Sequence, residues 1–524
     1  MWRRRCGRLT TSERHEYYQI RRTTTVSWEI RRTTTDSWSP RNEFGSRRSC
    51  CAKFESGAAM IIGADLASRR HIHLVGVGGA GMSALAKLLH QSRKQPDSTW
   101  KITGSDLRAG IELGALAALG IETWSGHQPR RLEGAELVVA SSAVPDSDPE
   151  LVRARQLGIP IWRRPDLLSA LTAAVPTIGA TGTHGKTSTT AMLVLSVRAL
   201  GLDPSFVVGG DLVDLATNAH FGASPLFVLE VDEAFGTFES VRLTGLIVTS
   251  VEPEHLDFFG TATEMEAAFA RVAAAVSGPV VCCADDEGAV RLSRLVGAST
   301  YGFSDQAEWS IAGVQLSGDA TEFELTSSKL AKAIAVRLRR PGRHVAQNAA
   351  GVLALLGELG YDPRIAAAGL TRFGGVKRRF ENRGLVKGVK FVDDYAHHPT
   401  EVAATIAAAR LQKPRRLWTV FQPHLYSRTE ALYSEFGQAL TGGDRVVVTD
   451  VYAAREIPVA GVTGELVAQA ARDAGANVLY VPHRSEIAST LAPLLTEGDL
   501  LLTMGAGDIT HLPTEVQALL VGGS

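Results

Sequence analysis

The sequence predicts an α/β fold made of several parallel-sheet domains, and three stretches carry that expectation. A glycine-rich turn, Gly76-Val-Gly78-Gly-Ala-Gly81, joins a strand pattern to a helix pattern. A second, Thr181-Gly182-Thr183-His184-Gly185-Lys186-Thr187, does the same further on. The C-terminal segment then alternates strand patterns at 416–422, 445–450, 477–481 and 500–505 with helix patterns between them. Strands alternating with helices build parallel sheets. Length agrees, because 524 residues exceed what one hydrophobic core usually supports and imply roughly two to four domains.

Composition excludes several function classes. Lys and Arg total 55 against 55 Asp and Glu, so no excess positive field draws a polyanion, and nucleic acid is not an expected partner. No run approaches the roughly 18 apolar residues that span a bilayer, so no membrane insertion and a cytoplasmic location are expected. The five cysteines, Cys6, Cys50, Cys51, Cys282 and Cys283, lack ligand spacing, which argues against disulfides and a cysteine metal site. Residues 1–66 stand apart as Arg- and Thr-rich, with an imperfect repeat, Ile20-Arg-Arg-Thr-Thr-Thr-Val-Ser-Trp28 and Ile30-Arg-Arg-Thr-Thr-Thr-Asp-Ser-Trp38. Five glutamates there argue against an acid-poor transit peptide. The expectation is an extension that is disordered or that precedes a true start at Met60.

In the first domain, 71–77 reads as a buried strand and 82–90 as a helix, with G-x-G-x-x-G between them. Glycine there lets backbone amides approach a pyrophosphate at a helix N-terminus. Asp106, ending the next strand pattern, stands near where dinucleotide folds hold a ribose. Another strand, 135–140, exits through Ser141-Ser142-Ala143 before a helix at 149–157. Open α/β sheets bind ligands beyond the carboxyl ends of their strands, so His127, Ser141 and Ser142 are candidate contacts. Alone, this unit reads as a dehydrogenase. The second turn weakens that reading: between a strand at 176–180 and a helix at 188–199 it fits [AG]-x-x-x-x-G-K-[ST], with Lys186 placed to neutralise β and γ phosphates and the Thr187 hydroxyl to ligate magnesium. Carboxylates and an imidazole follow two further strand patterns, Glu230-Val-Asp232-Glu233 and Glu252-Pro-Glu254-His255-Leu-Asp257, as metal-ligand candidates. Asp257 and Glu233 also suit helix N-caps.

The strings T-G-T-H-G-K-T, E-V-D-E and V-E-P-E-H-L-D together resemble the Mur ligase superfamily, the ATP-dependent amino-acid ligases of peptidoglycan synthesis. Later motifs are Pro341-Gly-Arg-His344-Val-Ala-Gln-Asn348, Arg378-Arg379-Phe380, Asp393-Asp394-Tyr395-Ala-His397-His398-Pro-Thr-Glu401 and Phe421-Gln-Pro-His424-Leu-Tyr-Ser-Arg428. With G-V-G-G-A-G-M-S they narrow the likeness to the branch that adds L-alanine to UDP-N-acetylmuramate, from about residue 70 to the C-terminus.

The resemblance implies three domains: a Rossmann-like UDP-sugar domain at 67–170, a central P-loop ATPase domain at 171–378, and a Rossmann-like amino-acid domain at 379–524. It implies that Gly78, Gly79, Gly81, Asp106, His127 and Ser141 hold uridine diphosphate rather than NAD. Gly182, Thr183, Gly185, Lys186 and Thr187 would hold the ATP phosphates, with Thr187, Glu230 and His255 on Mg or Mn. Asn348 beside His344 would recognise adenine, and Asp394 the ribose. Tyr395 and His397 would meet substrate, and Lys186, Arg379, His397, His424 and Arg428 form the expected catalytic set.

Amide formation from a carboxylate in water needs a better leaving group than oxide, so ATP would phosphorylate the acid before the amine attacks. Phosphoryl transfer is mainly positioning and charge neutralisation, which suits Lys186 and Arg379, and the sequence shows no serine or cysteine nucleophile motif. Ala234, Phe235, Ser250 and Val345 depart from the family pattern, which bears on metal and ATP affinity. Phe373-Gly-Gly375 is a candidate hinge, and Met504-Gly-Ala-Gly507 reads equally as a substrate contact or a bare turn. Two rival readings are a recycling ligase that attaches a whole peptide to the same UDP-sugar, and a non-enzymatic nucleotide-binding regulator.

Overall fold

A computed structural model describes residues 63–92, 101–454 and 456–522; the repeat, Met60, Cys6, Cys50 and Cys51 lie outside them. The described chain starts slightly before 67, since Leu66, on the short helix Ala64–Ala67, is 1% exposed and joins the core.

The architecture is α/β, with three sheets. The first contains β1 (His71–Val75), β2 (Lys101–Asp106), β3 (Glu122–Ser125), β4 (Leu137–Ala140) and β5 (Ile161–Arg163), all parallel, in the order β3-β2-β1-β4-β5. The order reverses between β1 and β4, where an α/β sheet opens a crevice. The glycine turn after β1 and Ser141 after β4 flank it.

The second sheet contains β6 (Thr177–Thr181), β7 (Pro204–Leu212), β8 (Thr217–His220), β9 (Ser224–Glu230), β10 (Gly245–Val248), β11 (Val280–Cys283), β12 (Ser299–Gly302), β13 (Trp309–Leu316), β14 (Thr321–Thr326) and β15 (Ile334–Leu338). Their order is β15-β14-β13-β12-β11-β10-β6-β9-β7-β8. β6 thus sits between β10 and β9, all parallel, so the phosphate loop and both acidic clusters leave the sheet at one edge. The antiparallel extension β13-β14-β15 departs from the parallel pattern expected from the sequence.

The third sheet contains β16 (Glu381–Val386), β17 (Val389–Asp394), β18 (Leu417–Phe421), β19 (Arg445–Val448), β20 (Val478–Tyr480) and β21 (Leu500–Met504), ordered β16-β17-β21-β18-β19-β20. It is parallel as expected except for its edge strand β16, which pairs antiparallel with β17.

These strands form because their runs are apolar on both faces: every residue of β4, β6, β18 and β21 is buried, as a sheet covered on both sides by helices requires. Asp148, Thr261, Asp286, Asp362 and Thr463 cap helix N-termini by accepting amide hydrogen bonds. The caps expected from Asp257 and Glu233 do not form. His255 takes the cap position of the helix Leu256–Phe259, and Glu233 precedes the segment Ala234–Ser240 without capping it, because its carboxylate is committed to Lys186.

Beneath the first crevice a carboxylate is fully buried. Glu150 accepts from Trp124 Nε1 at 3.1 Å, from Gln128 N at 3.0 Å and from Ser105 Oγ, with His73 Nε2 at 3.6 Å. Burial alone would raise its pKa, but the adjacent His73 imidazole and the hydrogen bonds from Ser105 and the Gln128 amide outweigh that and hold it at about 2. A carboxylate depressed on folding adds stability that is complete above its unfolded pKa and lost as pH falls through the folded value. Glu150→Gln is expected to cost roughly 2 kcal/mol at neutral pH. It should also flatten the loss of stability between the ordinary 4.5 and about 2, read by calorimetric melting; an unchanged melt over that window would contradict the account.

Candidate active site

The phosphate loop leaves β6 at Thr181 and enters the helix Lys186–Ala199, which begins two residues earlier than its sequence pattern, at 186 rather than 188. Lys186 and Thr187 therefore lie in the first turn, where free amides and the helix dipole favour an anion. Gly182 stands at φ 129°, and a Cβ there would come within 2.3 Å of Thr249 Oγ1, so only glycine lets the loop lie on the exit of β10. Thr183 N donates to Ser250 O at 3.1 Å, and His184 N to Ser250 Oγ at 2.9 Å. Lys186 Nζ donates to Gly182 O at 2.7 Å, Thr183 O at 3.3 Å and Glu233 Oε1 at 2.8 Å. Burial would lower the lysine pKa, but Glu233 and then Asp232 hold it above its ordinary value. The result is a preformed cradle with a fixed cation, which fits a nucleotide triphosphate.

Thr187 Oγ1 donates to Glu230 Oε1 at 2.9 Å, and Gly209 N to Glu230 Oε2 at 2.5 Å. His255, expected from the sequence to share a metal with Glu230, instead clusters with Glu233 and Glu254, their ligand atoms within 4.8 Å of one another. Glu233 Oε2 is buried and lacks a hydrogen-bond partner. Such an orphaned oxygen among carboxylates and an imidazole fits a hard divalent cation.

A cavity of ≈300 Å³ adjoins the loop, lined by Gly185, His344, Asn348, Arg379 and Asp394 among others. A Cβ on Gly185 would sit 3.0 Å from Asn348 Oδ1, so this residue of the helix Arg343–Glu358 reaches the loop itself. Burial pushes the His344 pKa down to about 4, leaving a neutral imidazole at pH 7. Asp394, raised to about 6 by burial against the pull of Arg379, accepts from Phe380 N at 2.6 Å and Ala396 N at 2.7 Å.

The third sheet adds a cationic and aromatic group beyond β17 and β18. Arg379 Nη1 lies 3.6 Å from Glu401 Oε1, and the Tyr395 ring centroid is 4.8 Å from the Arg378 guanidinium and 5.1 Å from that of Arg379. His397 Nδ1 is 3.2 Å from Glu401 Oε2, and its ring lies 6.0 Å from that of His424. Arg428 Nη2 donates to Glu254 Oε1 at 2.5 Å, and its Nη1 is 3.1 Å from His424 Nδ1. Catalytic candidates from distant sequence positions thus surround the phosphate loop. Sequence reasoning missed Glu401 as a site residue, although its i,i+4 spacing from His397 at a helix start could have signalled it. Tyr452, stacked on His424 at 6.0 Å, had no sequence signal.

In the first sheet, Gly79, Asp106, His127 and Ser141 line a second cavity of ≈480 Å³. Gly78 and Gly81 do not line it. A Cβ on Gly78 would meet Asp106 Oδ2 at 2.8 Å and Cγ at 2.9 Å, so packing against Asp106 favours glycine there, while one on Gly81 would meet only the movable Arg164 guanidinium at 3.0 Å. The Phe373-Gly-Gly375 stretch is tied to the turn after β7, with Val213 N donating to Gly375 O at 3.0 Å and Gly374 N to Asp214 Oδ2 at 2.7 Å. Gly505 and Gly507 carbonyls accept from Arg378 Nη2 at 2.8 and 3.0 Å.

Residues 71–175 match the family described as Mur ligase family, catalytic domain; 180–356 match the Mur ligase middle domain; and 378–507 match the Mur ligase, glutamate ligase domain. The UDP-N-acetylmuramate--L-alanine ligase of Mycolicibacterium vanbaalenii is 43% identical over 475 residues, covering 86% of this chain and 96% of that protein. That of Kineococcus radiotolerans is 43% identical over 460 residues, with 86% and 96% covered. The structure of the UDP-N-acetylmuramate-alanine ligase of Thermotoga maritima superposes with a TM-score of 0.74 at 27% identity, covering 87% of this chain and 100% of that one. A murein peptide ligase of Psychrobacter arcticus shares the fold, at TM-score 0.65 and 22% identity, with 86% and 98% covered.

Two substitutions test this geometry. Gly182→Ala should abolish nucleotide binding in titration calorimetry, and wild-type affinity would show that the loop is not the anion cradle. Glu254→Gln leaves the buried Arg428 without its anionic partner and should destabilise the fold by about 3 kcal/mol, measured by urea denaturation; a cost near zero would place that pair among inconsequential contacts.

Proposed function

The chain belongs to the Mur ligase family, and on that premise we propose that its individual residues divide the work of joining L-alanine to UDP-N-acetylmuramate. The reaction is ATP-dependent, passes through an acyl phosphate on the lactyl carboxylate, and is an early step of peptidoglycan synthesis. The observation that carries the reading is the meeting of three sets of groups at one strand edge: the phosphate loop with Lys186, the carboxylate and imidazole cluster, and the Arg379, His397, His424 and Arg428 group. The relatives' names supply the substrates.

The three sheets, at 71–163, 177–338 and 381–504, support domains at 67–170, 171–378 and 379–524. The cavity holding Gly79, Asp106, His127 and Ser141 takes the uridine diphosphate, with Gly78 and Gly81 shaping its turn. Gly182, Thr183, Gly185, Lys186 and Thr187 take the ATP phosphates, His344 and Asn348 the adenine, and Asp394 the ribose. His255 with Glu233 and Glu254, and separately Thr187 with Glu230, would hold Mg or Mn, which when bound neutralises phosphate charge. The carboxylate attacks the γ-phosphorus while Lys186 and Arg379 hold the phosphate oxygens, releasing ADP. The amine of L-alanine, held among Tyr395, His397, His424 and Arg428, then attacks the acyl carbon, and the tetrahedral adduct expels phosphate. The enzyme acts in the cytoplasm; no described helix is long and apolar enough to cross a membrane.

Phosphate release from ATP with UDP-N-acetylmuramate and L-alanine, then with glycine, L-serine or a tripeptide instead, tests the reading. Release with L-alanine is expected. Release with tripeptide alone would indicate a recycling ligase, and failure to release phosphate with any of the four would indicate a binding protein. Lys186→Ala should cut turnover by at least about a thousandfold while UDP-sugar binding persists; retained turnover would sink the assignment of that lysine.

A further inference from the structure

One side chain of the phosphate loop reaches from the wall of the adjoining cavity to the third domain. His184 has its backbone pinned to the exit of β10 through Ser250 and Thr249, while its ring reaches the third domain. Nδ1 lies 3.5 Å from Glu401 Oε1 and Nε2 lies 3.4 Å from Glu252 Oε2. The ring packs on His398 with centroids 4.4 Å apart and a 33° tilt. Glu252, from the central domain, also accepts from Thr400 Oγ1 at 3.0 Å. His398, Thr400 and Glu401 all belong to the start of the helix Pro399–Arg410 in the third domain. The imidazole is 13% exposed and stands between two carboxylates.

We infer that His184 is a positioning residue that couples the conformation of the phosphate loop to the docking of the helix Pro399–Arg410, so that the nucleotide and amino-acid sites are completed together. Its charge state suits this role. Burial alone would lower the His184 pKa, but Glu252 and Glu401 outweigh it and hold it at about 10. The ring is thus a cation, attracting a carboxylate from each side of the domain boundary. The same helix start supplies Glu401 as partner to both His397 Nδ1 and Arg379. Linkage then requires reciprocity: whatever seats the loop favours the docked helix, and the docked helix favours the seated loop.

The inference rests on the ligase reading for its kinetic consequence, and two measurements keep their failures apart. Wild-type phosphate release with L-alanine reports on the reading alone. Amide hydrogen exchange of residues 398–402, with and without a non-hydrolysable ATP analogue, reports on the coupling even if the acceptor is another. In the wild type the analogue should slow that exchange. In His184→Gln, which keeps polarity and removes the charge, the analogue should no longer slow it. KM for both ATP and L-alanine should rise about five- to fiftyfold with the UDP-sugar Kd unchanged. Combining His184→Gln with Thr400→Val should add less than the product of the single effects, because both act through one docked contact. A rise in the ATP KM alone, nucleotide-dependent protection that survives the substitution, or multiplicative single effects would each overturn the coupling. His184→Asn takes the same measurements if the glutamine variant does not fold, and the wild-type exchange experiment stands independently: no protection by the analogue there also overturns it.

Discussion

One largely buried carboxylate gathers basic groups from the central and third domains. Glu401, 11% exposed, has Oε1 3.5 Å from His184 and 3.6 Å from Arg379, and Oε2 3.2 Å from His397 Nδ1. Burial alone would raise its pKa, but His397 and His184 pull it well below the ordinary carboxylate range. An isolated charge in that setting costs several kcal/mol, so the anion is tolerable only while these basic groups surround it. They come from a loop after β6, a turn before β16 and a turn after β17. A single desolvated charge thereby ties the phosphate loop to two turns of the third domain.

Four strained backbone positions lie around the same centre. Arg378, Phe380, His255 and Leu425 adopt left-handed backbone with φ of 58°, 49°, 54° and 69°. Each such residue costs of order 1–3 kcal/mol and persists only where its surroundings hold it. The restraints are visible: Arg378 donates to the Gly505 and Gly507 carbonyls, Phe380 N to Asp394, and Leu425 N to Tyr452 O. These kinks direct Arg379 toward the cavity beside the phosphate loop and set His424 and Arg428 side by side. The glycine-rich exit Met504-Gly-Ala-Gly507 therefore serves as a turn that accepts from Arg378.

Departures from the family pattern acquire physical content in the structure. Ser250 receives the His184 amide and its carbonyl receives the Thr183 amide, so it braces the loop directly. Val345 is 7% exposed on the wall of the cavity beside the phosphate loop. Phe235 stands at φ 56°, beside the turn that delivers Glu233 to Lys186. Gly78 shows the converse: its glycine is explained by the close approach of Asp106, where the sequence suggested a bound pyrophosphate.

Local order was legible without coordinates because it is written in short-range chemistry. Apolar runs ending in glycine turns specified β1, β6 and the helices after them, and the spacing of Gly182, Gly185, Lys186 and Thr187 specified a phosphate cradle. The alternation of strands and helices specified parallel sheets, which necessarily present their loops at one edge. Tertiary structure alone decided which loops share that edge, because pairing across hundreds of residues leaves no periodic trace. It set His255 with Glu233 and Glu254, gave Asp394 to two backbone amides, joined Glu254 to Arg428, and laid His184 between Glu252 and Glu401. Sequence by itself determined that a phosphate-binding loop exists; only the packing of three sheets around buried charges decided what that loop touches.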